Sequence, residues 1–241
     1  MRRDIVQNHL SRDGGPEGGR FGRQRIGAKA GKAYGGYDFV FGQAAIGEIV
    51  RVIDPAALGL EPVSDRRFAA RNGDFIKILE IVAFKGASYA PRWGVSLPYV
   101  PLALKRPLRY GRTLKSARLS LWWDTTRGMG SPQHARYIGT FHGIRAVHDD
   151  TDALWRASRQ AVVDFWSKTS DLPGVLLTAI HQMNAPDSRF WLPNAGVVAA
   201  LTAARLGDEP QARQLAGHAP TQDDERELLA ELIGQQLSLA Q

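Results

Sequence analysis

The chain has 241 residues, 44% of them apolar, enough for one large domain or two small ones with a buried core. It contains no cysteine, which excludes a disulfide framework and every thiolate metal site and fits a reducing compartment, so a cytoplasmic setting is expected. No run of about 18 uncharged apolar residues exists, and Arg2 and Arg3 are followed by Asp4, Asn8 and His9 instead of an apolar leader, so neither membrane spanning nor secretion is expected.

The net charge of +7 is unevenly placed. Residues 1–148 hold 24 basic and 11 acidic groups, a net +13, whereas residues 149–241 hold 7 and 13, a net −6. Halves of opposite sign either attract one another across the fold or leave a basic surface free for an acidic partner.

In chain order, the first segment reads as a tail. Nine of the 25 glycines fall within residues 1–36, mixed with Arg and Lys and with little aliphatic clustering after Leu10. Such a stretch buries too little apolar surface to offset the entropy of ordering it, so residues 1–37 are read as a disordered, basic, Gly-rich tail. Gly27, Gly31 and Lys32 imitate a phosphate loop, but the spacing is wrong and Ala33 stands where Ser or Thr would hold magnesium.

Folding begins near Tyr37. Ala44, Ala45, Ile46, Ile49, Val50 and Ile53 recur at helical spacing, and Asp54 before Pro55 predicts the stop. Phe68 to Arg71 reads as a short strand, Asn72 and Gly73 as a hairpin turn, and Phe75 to Lys85 as a central strand, because both of its alternating sets are apolar. Trp93 to Leu104 predicts a further strand that Pro98 and Pro101 push toward an edge. Ser116 to Trp123 predicts another, with Ala117, Leu119, Leu121 and Trp123 inward.

From Thr151 the period changes to three or four. Thr151 is the predicted N-cap of a helix running to Lys168, Asp171 and Pro173 open a second, and Asn194 starts a third that Gly207 ends. Asp208 and Thr221 open two more. Strands preceding helices predict an α+β fold. The expected architecture is a small antiparallel sheet of three to four strands, covered by the N-terminal helix and a C-terminal group of four to five helices. Residues 38–170 are assigned to the α+β domain and residues 171–241 to a helical extension packed on it.

The path from Ile46 to Trp123 resembles the uncharacterised bacterial family catalogued as domain of unknown function 4304. The carrying features are the helix ending at Ile53, the turn Leu58-Gly59-Leu60, Arg67-Phe68 and the strand Ile76 to Phe84. They continue in Trp93-Gly94-Val95, in Arg118-Leu119 and in the pair Trp122-Trp123. The resemblance covers about residues 46–123; it implies an α+β domain and supplies no catalytic residues.

Three groups invite a chemical reading. His142, His148, Asp149 and Asp150 cluster, but five residues between the two histidines fit neither helical nor finger spacing for zinc, and the carboxylates suit a helix N-terminus. Asp74, Glu80 and Lys85 suggest a metal-dependent nuclease site without its acid-x-lysine spacing. The positive signal is basic: Lys105, Arg106, Arg109, Arg112, Lys115 and Arg118 fall within fourteen residues that contain no acid, with Tyr110 among them. Between two predicted strands they form a charged hairpin, either an anion-binding surface or a solvated loop that protects strand edges. Of the adjacent Trp122 and Trp123, one faces outward on a regular strand, and Trp122 joins the candidate binding residues.

No catalytic residue, metal or cofactor is assigned. The expected function is a non-enzymatic binding or accessory protein that meets a protein partner through the sheet and the basic hairpin. The alternatives are a nucleic-acid-binding accessory protein using the tail and hairpin, and a metal-dependent hydrolase using Glu80 or His142.

Overall fold

The period-two stretch folds into an antiparallel sheet in a computed structural model that describes residues 42–84, 88–126, 137–140, 143–185, 195–219 and 221–241. The tail 1–37, Lys85, His134, His142 and Asn194 lie outside the described residues. The strands are β1 (Glu61–Ser64), β2 (Arg67–Asn72), β3 (Phe75–Phe84), β4 (Ser88–Ser96), β5 (Leu121–Asp124) and β6 (Ile138–Gly139). β1 to β5 form a meander in sequence order, and β6 pairs with β4 at Ser88 and Tyr89, on the same edge as β5. The sheet thus exceeds the expected three to four strands, because the short β1 and β6 carry too few residues to show alternation.

The helices are α1 (Gln43–Ile53), α2 (Gly143–Lys168), α3 (Leu172–Met183), α4 (Ala195–Arg205), α5 (Glu209–Ala216) and α6 (Asp223–Ala240). With the sheet they make the α+β class. Asp171 and Asp208 cap α3 and α5 by accepting from Gly174 N and Gln211 N. Gly207 ends α4 at φ 82°, a conformation that glycine adopts without a Cβ penalty. Thr151 is not a cap: α2 starts eight residues earlier at Gly143, and the buried Thr151 hydroxyl donates to Val147 O instead. For α6 the capping pair sits one residue later than expected, with Gln222 N donating to Glu225.

One sheet face carries the main core. Phe68, Leu79, Ile81, Trp93, Val95 and Leu121 belong to one continuous core with buried residues of all six helices, including Trp155 and Trp166 of α2. Trp166 Nε1 donates to Gly94 O at 3.0 Å. The opposite face carries a smaller cluster of Ala69, Ile76, Ile78 and Ala117, flanked by Val63, Leu114 and Leu119. This explains why β3 is apolar on both sets: helices cover one face, and the connection between β4 and β5 folds back over the other.

That connection, residues 97–120, corrects two expected strands. β4 ends at Ser96 and not Leu104, because Pro98 and Pro101 cannot donate to a ladder. β5 starts at Leu121, and residues 116–120 are irregular.

Two exposed glycines within helices, Gly47 on α1 and Gly234 on α6, have no atoms within 4 Å of an added Cβ. Gly47→Ala and Gly234→Ala are each expected to stabilise the fold by about 0.5–1 kcal/mol, read as a raised denaturant midpoint at constant slope.

Candidate functional site

The basic segment sits inside the β4–β5 connection, and the chain there is pinned to the sheet. Arg67 on β2 donates to Ala117 O, and Arg71 donates to Arg112 O at 3.2 Å. Ser120 N bonds Val95 O at 2.8 Å and Leu102 N bonds Arg109 O at 2.8 Å. Thr113 and Ser116 close a side-chain turn at 2.8 Å between their hydroxyls. Ala117 and Gly111 are buried, while Lys105, Arg106, Arg109, Arg112, Lys115 and Arg118 are all exposed. The expected hairpin is therefore an irregular strap, held at many points along its length, whose cations face solvent.

The cations are not equivalent. Arg106 pairs with Glu231 of α6, the link among the described ion pairs between the strap and the acidic C-terminal helices. Arg118 bonds Ala117 O at 2.9 Å. The Arg112 guanidinium lies 5.4 Å from the centroid of the half-buried Tyr110, so one face of that ring is engaged within the strap. Arg71, which sequence reasoning did not single out, is exposed and extends the basic surface onto β2. The sequence offers no sign of it, because the contact depends on the strap's path.

Beside the strap a row of alternating charge crosses the sheet. Arg67, Glu80, Arg92 and Asp124 are successive register partners on β2, β3, β4 and β5. Arg67 lies 3.4 Å from Glu80 and Arg92 lies 3.6 Å from Asp124. Burial pulls the Arg67 guanidinium below its ordinary pKa, a pull opposed by Glu80 and reinforced by Arg118. The Arg92 guanidinium also stacks 4.0 Å from the ring centroid of Trp122. Trp122 and Trp123 are both half-buried and both pack against the main core.

These contacts also place the remaining candidates. Glu80 stands between two guanidiniums in register, and Asp74 sits in the turn before β3, about 20 Å of extended chain away. The two carboxylates do not converge. His148 serves as a clasp between helices: its Nδ1 lies 2.8 Å from Glu48 Oε1 and 3.1 Å from Arg51 Nη2, joining α2 to α1. Among the described residues, no group of three or more His, Cys, Asp or Glu is placed to hold a metal ion. No described helix is long and apolar enough to cross a membrane. Comparison of the chain with protein families, with curated proteins and with solved structures gives no match.

Hydrogen bonding from Arg51, opposed by desolvation and joined by His148, holds the Glu48 carboxyl below its ordinary value near 4.5. Its contribution to stability is therefore present above that value and lost as pH falls through the lower folded-state value. Thermal melts from about pH 6 to about pH 3 are expected to show a shallower acid loss for Glu48→Gln than for the native chain. The variant should be the less stable of the two at neutral pH.

Proposed function

We infer that this chain is a non-enzymatic binding protein of the bacterial cytoplasm that docks an acidic protein surface on the basic strap. The observation carrying this reading is the combination of exposed cations and a backbone tied to the sheet through Arg67, Arg71 and Ser120. A strap ordered before binding loses little conformational freedom on docking. Two details favour a carboxylate-bearing partner over nucleic acid. Arg106 already takes a carboxylate, Glu231, as its partner, and Tyr110 carries Arg112 over its ring instead of offering an open stacking platform. Membership of the family that residues 46–123 resemble belongs to the same proposal and adds no catalytic group.

The test compares a polyglutamate peptide with a DNA duplex of equal charge at about 50 mM and about 150 mM salt. The reading expects the peptide to bind more tightly and to remain bound at the higher salt. Tighter duplex binding with a steep log-affinity slope in salt would establish the nucleic-acid alternative. Binding of neither at low salt would make the strap a solvated cover for the sheet.

A further inference from the structure

The strap and the last helix carry opposite charge and touch. Residues 97–120 hold six cations and no acid, whereas α6 holds five acids against the single base Arg226. The Arg106–Glu231 ion pair fixes a point of contact between them. Asp224, Glu227 and Glu231 recur at i, i+3 and i+7, so they share one stripe of α6, and all three are exposed. Asp223 pairs with Arg226, and Glu225 accepts from Gln222 N. The carboxylates of Asp224 and Glu227 take no partner among the described residues.

On the strap, Lys105 and Arg109 flank Arg106, are exposed, and have no side-chain partner among the described residues. Leu102, which is 41% exposed, is held beside them, its N–H donating to Arg109 O at 2.8 Å. An apolar side chain among cations has the make-up of a small interface with a charged rim. A patch that carries both signs side by side is self-complementary under a two-fold rotation, because the positive half of each copy then faces the negative half of the other.

We propose that the acidic partner of the strap is a second copy of this chain. In the two-fold dimer, Lys105 and Arg109 of each copy meet Asp224 and Glu227 of the other, with Leu102 of both copies between them. This rests on the reading of the strap as a surface for an acidic protein, and it names that protein. Charge complementarity carries the choice: the strap takes carboxylates, as Arg106 already does, and α6 offers two unpaired ones on the stripe that holds Glu231.

Sedimentation equilibrium of the full chain tests the dimer. At about 50 mM salt the native chain should move from one chain mass toward two as its concentration rises from about 10 to about 500 µM. It should return to one at about 500 mM salt, where exposed charges are screened. Lys105→Glu with Arg109→Glu, and separately Asp224→Lys with Glu227→Lys, should each weaken association at least about tenfold, since like charges then face one another. An equimolar mixture of the two variants should recover association to within about threefold of native, because each reversed strap then meets a reversed helix. The concentration and salt dependence of the native chain decides the matter even where a variant does not fold. A native chain that stays monomeric at about 50 mM salt but binds polyglutamate leaves the strap reading intact and overturns the second copy as its partner; a monomer that binds no polyglutamate overturns both. A dimer indifferent to salt, variants that associate as the native chain does, or folded variants whose mixture shows no recovery each place the contact on another face and overturn the proposal.

Discussion

Gly94→Ala is expected to destabilise the fold by about 3 kcal/mol and to lower the melting midpoint by roughly 6–12 °C. The reason is the close approach of the start of β5, and of Leu119 just before it, to β4. A Cβ on Gly94 would fall inside contact distance of Leu121 O and 2.8 Å from both Leu119 Cδ2 and Trp122 Cα. Two of these three are backbone atoms, so a rotamer change does not relieve the clash. The carbonyl of Gly94 is also the acceptor for Trp166, so displacing β4 here disturbs the contact between sheet and α2. Differential scanning calorimetry checks the size of the loss, and a midpoint within about 2 °C of the native chain would show that β5 does not approach Gly94 this closely.

Reversing three strap charges is expected to have the larger functional effect. Lys105, Arg109 and Lys115 are exposed, and their side chains are not among the contacts that pin the strap. Changing all three to Glu should leave the melting midpoint within about 4 °C of the native value, since exposed charges contribute little to folding. Affinity for the polyglutamate peptide should fall on the order of 100-fold, because like charges then oppose one another across the interface. Fluorescence anisotropy reads the affinity. Retained affinity would place binding elsewhere, and unfolding would make these side chains structural.

The sheet and helices were legible because their periods are strong. Phe75 to Phe84 and the α2 stripe of Leu154, Val162 and Trp166 show their faces directly, and Asp171, Gly207 and Asp208 mark boundaries by their own chemistry. The strap misled because Ala117, Leu119, Leu121 and Trp123 sit two apart and imitate one strand. In the fold, Ala117 and Leu119 belong to the second-face cluster and Leu121 to the main core, so the alternation spans a chain that changes faces. Thr151 misled for a related reason: its hydroxyl suits a cap equally well as a bond to the carbonyl four residues back.

The candidate site was half visible. A run of cations without an acid is a linear feature, and all six members are exposed as the charge pattern implies. The charged row through Arg67, Glu80, Arg92 and Asp124 depends on strand register, which composition does not encode, and in it Glu80 is paired with Arg67. The consecutive helices α2 and α3 line a cleft together with Trp93 and Trp123 of the distant strands β4 and β5, and no local pattern announces it.

The central claim is that the strap is an ordered surface for an acidic partner, and mapping the polyglutamate peptide onto the ¹⁵N-labelled chain tests it most directly. At about 50 mM salt, where exposed charges are least screened, the largest backbone amide shifts should fall within residues 105–118 and at Arg71, with little change among α3, α4 and α5. The affected amides should already exchange slowly before the peptide is added, as expected of a strap that is pinned when free. Largest shifts within residues 1–37, or fast exchange throughout the strap that slows only on binding, would contradict the claim.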